Sequence, residues 1–211
     1  MKTFDTSEES IRYAIMGGTF DPIHFGHLAA AETVREKLNC QKVIFIPSGN
    51  PPHKKGRVLT DSIHRFTMTV LAVNSNPYFE VSNIEMNRNG YSYTLDTIKE
   101  LNKYYGKKVE LLFITGADAL LEIETWHKVD ELLRLCSFVA VTRPGYDKSK
   151  LEQKLLYLQS KYKVELHIVD VPGLNISSTD IRKRIQEGAS IRYLVPDAVE
   201  QYIFKHKLYR E

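Results

Sequence analysis

Cysteine is nearly absent: only Cys40 and Cys136 occur in 211 residues. They stand far apart and make neither metal-binding nor redox spacing, which excludes a disulfide framework and a cysteine zinc module. Free thiols in a cytoplasmic setting are expected. Glycine and proline are also scarce, 11 and 8 residues, too few for a collagen-like or disordered chain. No long apolar run exists. The longest charge-free stretch, residues 66–79, contains Asn74, Asn76 and Pro77, whereas a membrane span needs about 20 apolar residues. Residues 1–11 carry Asp5, Glu8 and Glu9 and no apolar block, unlike a secretory leader. Charge of one sign is scarce as well: 29 Lys and Arg face 26 Asp and Glu, for a net +3. Residues 182–211 hold seven basic and four acidic side chains, and so carry the whole excess. That density is below what a nucleic-acid surface shows, so no nucleic-acid partner is expected. Arg182, Lys183 and Arg184 leave two readings open, a solvated helix surface or a helix start facing a small polyanion.

What is present is pattern. With 43% apolar residues, the length is ample for a core without staples. A single domain over 1–211 is expected, with 1–10 as an extension and about 177–211 as its C-terminal helical part. Five near-continuous apolar runs, at 13–16, 43–46, 111–114, 138–141 and 166–169, read as strands covered on both faces. Residues 79–81 are a sixth short candidate. Helical stripes lie between them: Leu28, Ala31, Val34 and Leu38; Ile63, Phe66, Thr67 and Val70; Leu95, Ile98, Leu101 and Tyr105; Leu151, Leu155, Leu158 and Tyr162. This alternation predicts an α/β fold, a doubly wound parallel sheet with helices on both faces.

Ligands bind open parallel sheets beyond the carboxyl ends of the strands, and the unusual residues collect after those ends. Gly17-Gly18-Thr19-Phe20-Asp21-Pro22-Ile23-His24-Phe25-Gly26-His27 follows the first run. Gly17 and Gly18 are expected to turn the backbone and to admit an anion to peptide N–H groups. The loop fits neither the dinucleotide fingerprint nor the P-loop. His24 and His27, three apart, share a helix face at its positive end; phosphate binding, capping and metal ligation all remain open. Ser177-Ser178-Thr179-Asp180 reads as a capping box, with Ser177 as N-cap and Asp180 at the third helical position.

At these two loops the chain resembles the nucleotidylyltransferase superfamily. The His24-Phe25-Gly26-His27 motif and the segment Ile176-Ser177-Ser178-Thr179-Asp180-Ile181-Arg182 are both intact. Pro51-Pro52-His53-Lys54, Tyr93-Thr94-Leu95-Asp96-Thr97, Gly116-Ala117-Asp118, Trp126 and Arg143-Pro144-Gly145 narrow the likeness to the bacterial nicotinate-nucleotide adenylyltransferase family. The match runs in order over roughly residues 11–205, and the main departure from it is the ten-residue N-terminal extension.

The resemblance implies a Rossmann-like fold. It also implies adenylyl transfer from ATP to nicotinate mononucleotide, giving deamido-NAD and pyrophosphate, a step of NAD biosynthesis. His24, His27 and Arg182 would be catalytic. Gly17, Gly18, Thr19, Phe20, Gly116, Asp118, Arg143, Ile176, Ser177, Ser178 and Thr179 would complete the ATP site. Thr19, His53, Lys54, Thr94, Leu95, Trp126 and His127 would meet the pyridine nucleotide, with Trp126 on the pyridine ring. Mg2+ would bridge phosphates with few or no protein ligands, so no protein metal site is expected. A homo-oligomer is compatible with the sequence but not specified by it. Phosphopantetheine and nicotinamide mononucleotide are the alternative acceptors. A non-catalytic nucleotide sensor would be expected to have lost the histidines or Arg182. A synthetase fragment would bring a Lys-Met-Ser-Lys-type loop, which is not there.

Overall fold

The computed structural model describes residues 11–52, 59–143 and 145–210. Six strands form one parallel sheet: β1 (Ile11–Gly18), β2 (Lys42–Pro47), β3 (Phe79–Val81), β4 (Val109–Gly116), β5 (Ser137–Thr142) and β6 (Leu166–Asp170). Their spatial order is β3-β2-β1-β4-β5-β6, so the chain direction across the sheet reverses between β1 and β4. That boundary is where doubly wound sheets open a crevice for ligands.

The strands form where apolar residues run without interruption, because both sheet faces are covered. Ala14, Met16, Val43, Phe45, Leu112 and Ile114 point into one core, with α1 (Phe25–Lys37), α2 (Ser62–Val73), α7 (Ser178–Gln186) and α8 (Asp197–Lys205). Ile15, Ile44, Leu111, Phe113 and Phe138 point into the other, with α3 (Thr94–Tyr105), α4 (Ala117–Leu121), α5 (Val129–Leu132) and α6 (Ser149–Tyr162). Burying each of these side chains larger than alanine contributes about 1.5–3 kcal/mol. The stripes expected for α1, α3 and α6 face these cores: Ala31 and Val34, Leu95, Ile98 and Leu101, and Leu151, Leu155 and Leu158 are all buried.

The stripe expected for α2 is on the wrong face. Ile63 and Val70 are exposed, while Arg65, Met68, Thr69, Ala72 and Val73 are buried. The inward face carries an arginine and a threonine, which hydropathy counts as polar. Arg65 is satisfied by backbone carbonyls: Nε donates to Thr60 at 2.9 Å, one terminal nitrogen to Thr19 at 2.8 Å and the other to Gly49 at 3.3 Å. Thr69 donates to the Arg65 carbonyl at 2.8 Å. Among the described residues no helix is long and apolar enough to cross a membrane.

Candidate active site

Because every strand runs the same way, the segments after β1, β2, β4, β5 and β6 reach one edge of the sheet. Gly17 and Gly18 belong to β1 itself, in register with Ile46 and Pro47, so the turn expected there lies further on, with the left-handed φ of 49° at Phe20. The glycines instead allow close packing. A Cβ on Gly18 would stand 2.8 Å from the Phe20 ring, and one on Gly17 3.2 Å from Phe113.

His24 is the N-cap of α1 and is buried. His27 lies one turn on, its ring stacked on His24 at 3.7 Å between centroids and edge-on to Phe20 at 5.1 Å. The backbone N–H of His24 donates to His27 Nδ1 at 3.3 Å. An accepting Nδ1 carries no proton, so neutral His27 presents Nε2–H as a donor. Burial lowers the pKa of His27 to about 3, with the neighbouring His24 adding to the effect. Burial and then the charge of Arg143 lower that of His24 to about 4. Both rings are neutral at physiological pH. His24 Nδ1 is buried without a hydrogen-bond partner. Gly26 makes the stack possible, since a Cβ there would lie 3.0 Å from that nitrogen.

The start of α7 docks directly on this loop. Ser178 Oγ donates to the Pro22 carbonyl at 2.8 Å, and Arg182 donates to the Asp21 carbonyl at 2.6 Å. The other terminal nitrogen of Arg182 donates to Thr179 Oγ1 at 3.4 Å. Ser177 caps α7 by accepting from the Asp180 N–H at 3.1 Å. The reciprocal half of the expected capping box is not made, because Asp180 takes Arg184 at 2.9 Å instead. Lys183 likewise leans on Glu187, at 3.7 Å. Of the three basic residues, Arg182 alone turns towards the β1 loop; the other two pair along the helix surface. Ile176 is half-buried, its carbonyl 3.8 Å from where a Gly26 Cβ would stand. Two segments more than 150 residues apart in sequence thus share one surface of helix-start N–H groups, hydroxyls, imidazoles and a guanidinium, although the N–H of Phe25 is already taken by the Leu194 carbonyl and that of His27 by the His24 carbonyl.

Further along the edge, exposed Arg143 donates to Asn175 Oδ1 at 3.2 Å, and Asp118, in the first turn of α4 after Gly116, accepts from Tyr146 at 3.2 Å. On the other side, Thr94 opens α3, where the N–H of Leu95 belongs to a first turn without intrahelical acceptors. Tyr93 stacks on His127 at 4.2 Å, which brings the α3 start beside the Trp126–His127 step. Trp126 is half-buried, edge-on to Phe113 at 6.0 Å and near Phe138 at 6.3 Å. Asn50 and Ser92 exchange bonds of 3.0 and 2.9 Å, tying the β2 loop to the same turn. Beneath it, the buried Glu85 accepts from Thr97 at 2.8 Å, its carboxyl raised above the usual range by burial. His53, Lys54 and Pro144 lie outside the described residues.

Sequence reasoning assigned no role to Arg65, Glu85, Tyr93, Tyr146 or Tyr209, Tyr93 entering only as part of a motif. For Arg65 a signal existed: an arginine in helical phase with Met68, Thr69 and Ala72. The other four act through contacts distant in sequence. Among the described residues, no group of three or more His, Cys, Asp or Glu could hold a metal ion.

A cytidylyltransferase-like family model matches residues 15–184. A protein of Thermoanaerobacter sp. strain X514 called probable nicotinate-nucleotide adenylyltransferase is 55% identical over 204 residues, covering 97% of each chain. One of the same description from Moorella thermoacetica is 55% identical over 199 residues, 94% of this chain and 92% of the other. Among solved structures, a Plasmodium falciparum nicotinic acid mononucleotide adenylyltransferase complexed with NaAD superposes with a TM-score of 0.78 at 20% identity, covering 94% of this chain and 97% of that one. The last likeness speaks for the fold.

Proposed function

The chain belongs to the cytidylyltransferase-like family, and from that premise we propose that it transfers the adenylyl group of ATP to nicotinate mononucleotide, forming deamido-NAD and pyrophosphate. The observation that carries this reading is the docking of α7 on the β1 loop through Ser178 and Arg182. It gathers His24, His27, Thr179 and Arg182 at two helix starts, where anions are favoured by free N–H groups and the helix dipole.

The acceptor's 5′-phosphate attacks the α-phosphorus of ATP. A new P–O bond forms as the bond to the bridging oxygen breaks, and its electron pair leaves with pyrophosphate. A phosphate monoester is mostly dianionic at neutral pH, so no side chain has to remove a proton. Catalysis is then positioning and charge stabilisation. His27, a neutral Nε2–H donor, and His24 face the α-phosphoryl oxygens as charge crowds onto them. Ser177, Ser178, Thr179 and Arg182 hold the departing phosphates. Gly17, Gly18, Thr19, Phe20 and Ile176 line the ATP side. Gly116 and Asp118 receive the ribose, and Arg143 lies near the adenine.

Nucleotidyltransferases generally use magnesium. The Asp21 carboxylate, the one in the β1 loop, is engaged by Tyr209 and the Thr60 N–H. The donors offered are hydroxyls, N–H groups and a guanidinium, which suit phosphate rather than a cation. Magnesium would therefore arrive with the nucleotide rather than on a protein cage, and when bound it would neutralise phosphate charge.

Thr19, Thr94, Leu95, Trp126 and His127 form the acceptor side, Trp126 offering its ring to the pyridine. The N–H groups of Leu95 and His127 suit a carboxylate, which takes charge-assisted bonds from both. An amide would turn its –NH2 towards a donor, leaving a buried donor unpaired at about 1–3 kcal/mol. Pyrophosphate release measured side by side should therefore favour the acid over nicotinamide mononucleotide by about one to two decades in kcat/KM. Parity or amide preference would overturn the acceptor assignment and leave adenylyl transfer standing.

A further inference from the structure

Beneath the phosphate cradle runs a polar network that the reaction as derived does not use. Asp21 is 5% exposed, and each of its acceptors is taken. Tyr209 donates to Oδ1 at 2.7 Å, the Thr60 N–H reaches Oδ2 at 3.5 Å, and the backbone carbonyl takes Arg182 at 2.6 Å. Arg65, 1% exposed, lies close enough for its charge to interact with that of Asp21, and it pins the carbonyls on either side of the network, Thr19 and Thr60. Tyr209 comes from the segment after α8. It sits at φ 65°, a conformation that a bulky residue keeps only where its surroundings over-determine it. Its ring packs against the core under α1 and α8, and its hydroxyl ends on the one carboxylate whose own backbone orients Arg182.

We propose that Tyr209 is a positioning residue for the polyphosphate: by holding the Asp21 carboxylate it fixes the peptide carbonyl to which Arg182 is tied, and with it the direction of the guanidinium. An arginine side chain has many rotamers to lose on binding. One nitrogen bound to a fixed carbonyl removes much of that freedom before ATP arrives, and leaves the N–H groups not engaged by Asp21 and Thr179 for the ligand. If the hydroxyl is removed, the buried carboxylate has to find another donor. Asp21 then turns, and its carbonyl turns with it. The segment after α8 therefore sets the grip on the β- and γ-phosphates without touching them.

The proposal rests on Arg182 being a phosphate ligand, and its test is built on binding rather than turnover. Tyr209→Phe removes one oxygen and keeps the ring packing. Calorimetric titration should show about a tenfold loss of affinity for Mg-ATP, as for a lost bond to a charged group, and unchanged affinity for nicotinate mononucleotide. In an Arg182→Ala background the same change should cost nothing further, because the two act in series. Equal losses in both backgrounds, equal losses for both ligands, or no loss at all would overturn it. Asp21→Asn, which keeps the carbonyl and weakens the acceptor, should reproduce the selective loss and stands in if Tyr209→Phe does not fold. If the unaltered protein binds ATP but not nicotinate mononucleotide, the acceptor assignment fails while the ATP cycle still decides the role of Tyr209.

Discussion

His27 owes its chemistry to a single backbone bond. With Nδ1 occupied by the His24 N–H, the ring can only donate from Nε2, and a donor matters most where negative charge grows in the transition state. His27→Ala is expected to lower kcat by about 10²–10³, or about 2.7–4 kcal/mol, with far less effect on the KM for ATP. Steady-state kinetics check the split, and circular dichroism verifies that α1 is still formed. The stacked pair also has a consequence for acid stability. Both rings titrate well below the usual histidine value, at about 4 and about 3. The unfolded chain takes up protons near pH 6.5, whereas the folded state resists them. Their contribution to stability is full above that pH and is lost as pH falls towards the folded values. Urea midpoints should therefore drop between about pH 7.5 and about pH 5, and drop less in His27→Gln, whose amide does not titrate. An equal drop in both proteins would count against the imidazoles as its source.

At the scale of elements, legibility followed hydropathy. The strands and the stripes of α1, α3 and α6 could be read because burial there is mainly apolar, with Thr97, Thr115, Ser137 and Thr142 as the polar exceptions. The α2 stripe could not, since Arg65 and Thr69 face inward and are satisfied by carbonyls that no local pattern announces. On sequence alone Lys183 and Arg184 leave two readings open, because composition shows charges, while their partners Glu187 and Asp180 are set by helical geometry. The loops of the candidate site were legible as motifs, and the contacts that aim them were not. Gly49 shows how tightly such loops are set. A Cβ there would stand 2.4 Å from the Glu85 carbonyl oxygen, a backbone atom with little room to yield. Gly49→Ala is expected to destabilise the fold by about 1–3 kcal/mol, measured by denaturant unfolding. Because the β2 loop is tied to the turn before α3, it should also weaken binding of the acceptor more than of ATP.

For the whole molecule, two cores share one sheet. Phe45 is fully buried on one face and Phe138 on the other. The sheet couples them, so we expect residues 11–210 to unfold as one unit. Phe45→Ala and Phe138→Ala should each cost about 3–5 kcal/mol and shift one common transition; two separable transitions would divide the chain into independent units. The parallel order of the strands explains why the site could be placed at one edge from sequence alone, and why its aiming could not: the aiming contacts join the two ends of the chain. The bonds from Pro22 to Ser178, from Asp21 to Arg182 and from Asp21 to Tyr209 span 156, 161 and 188 residues. Translated from space into time, such closures come late, because their entropy cost is met before any contact rewards it. Helices and the β1–β2 pair can form while the chain is still incomplete. The proposed cradle for ATP is complete only when the segment after α8 has docked, so a refolding chain is expected to regain its helical signal first and its hold on the nucleotide last.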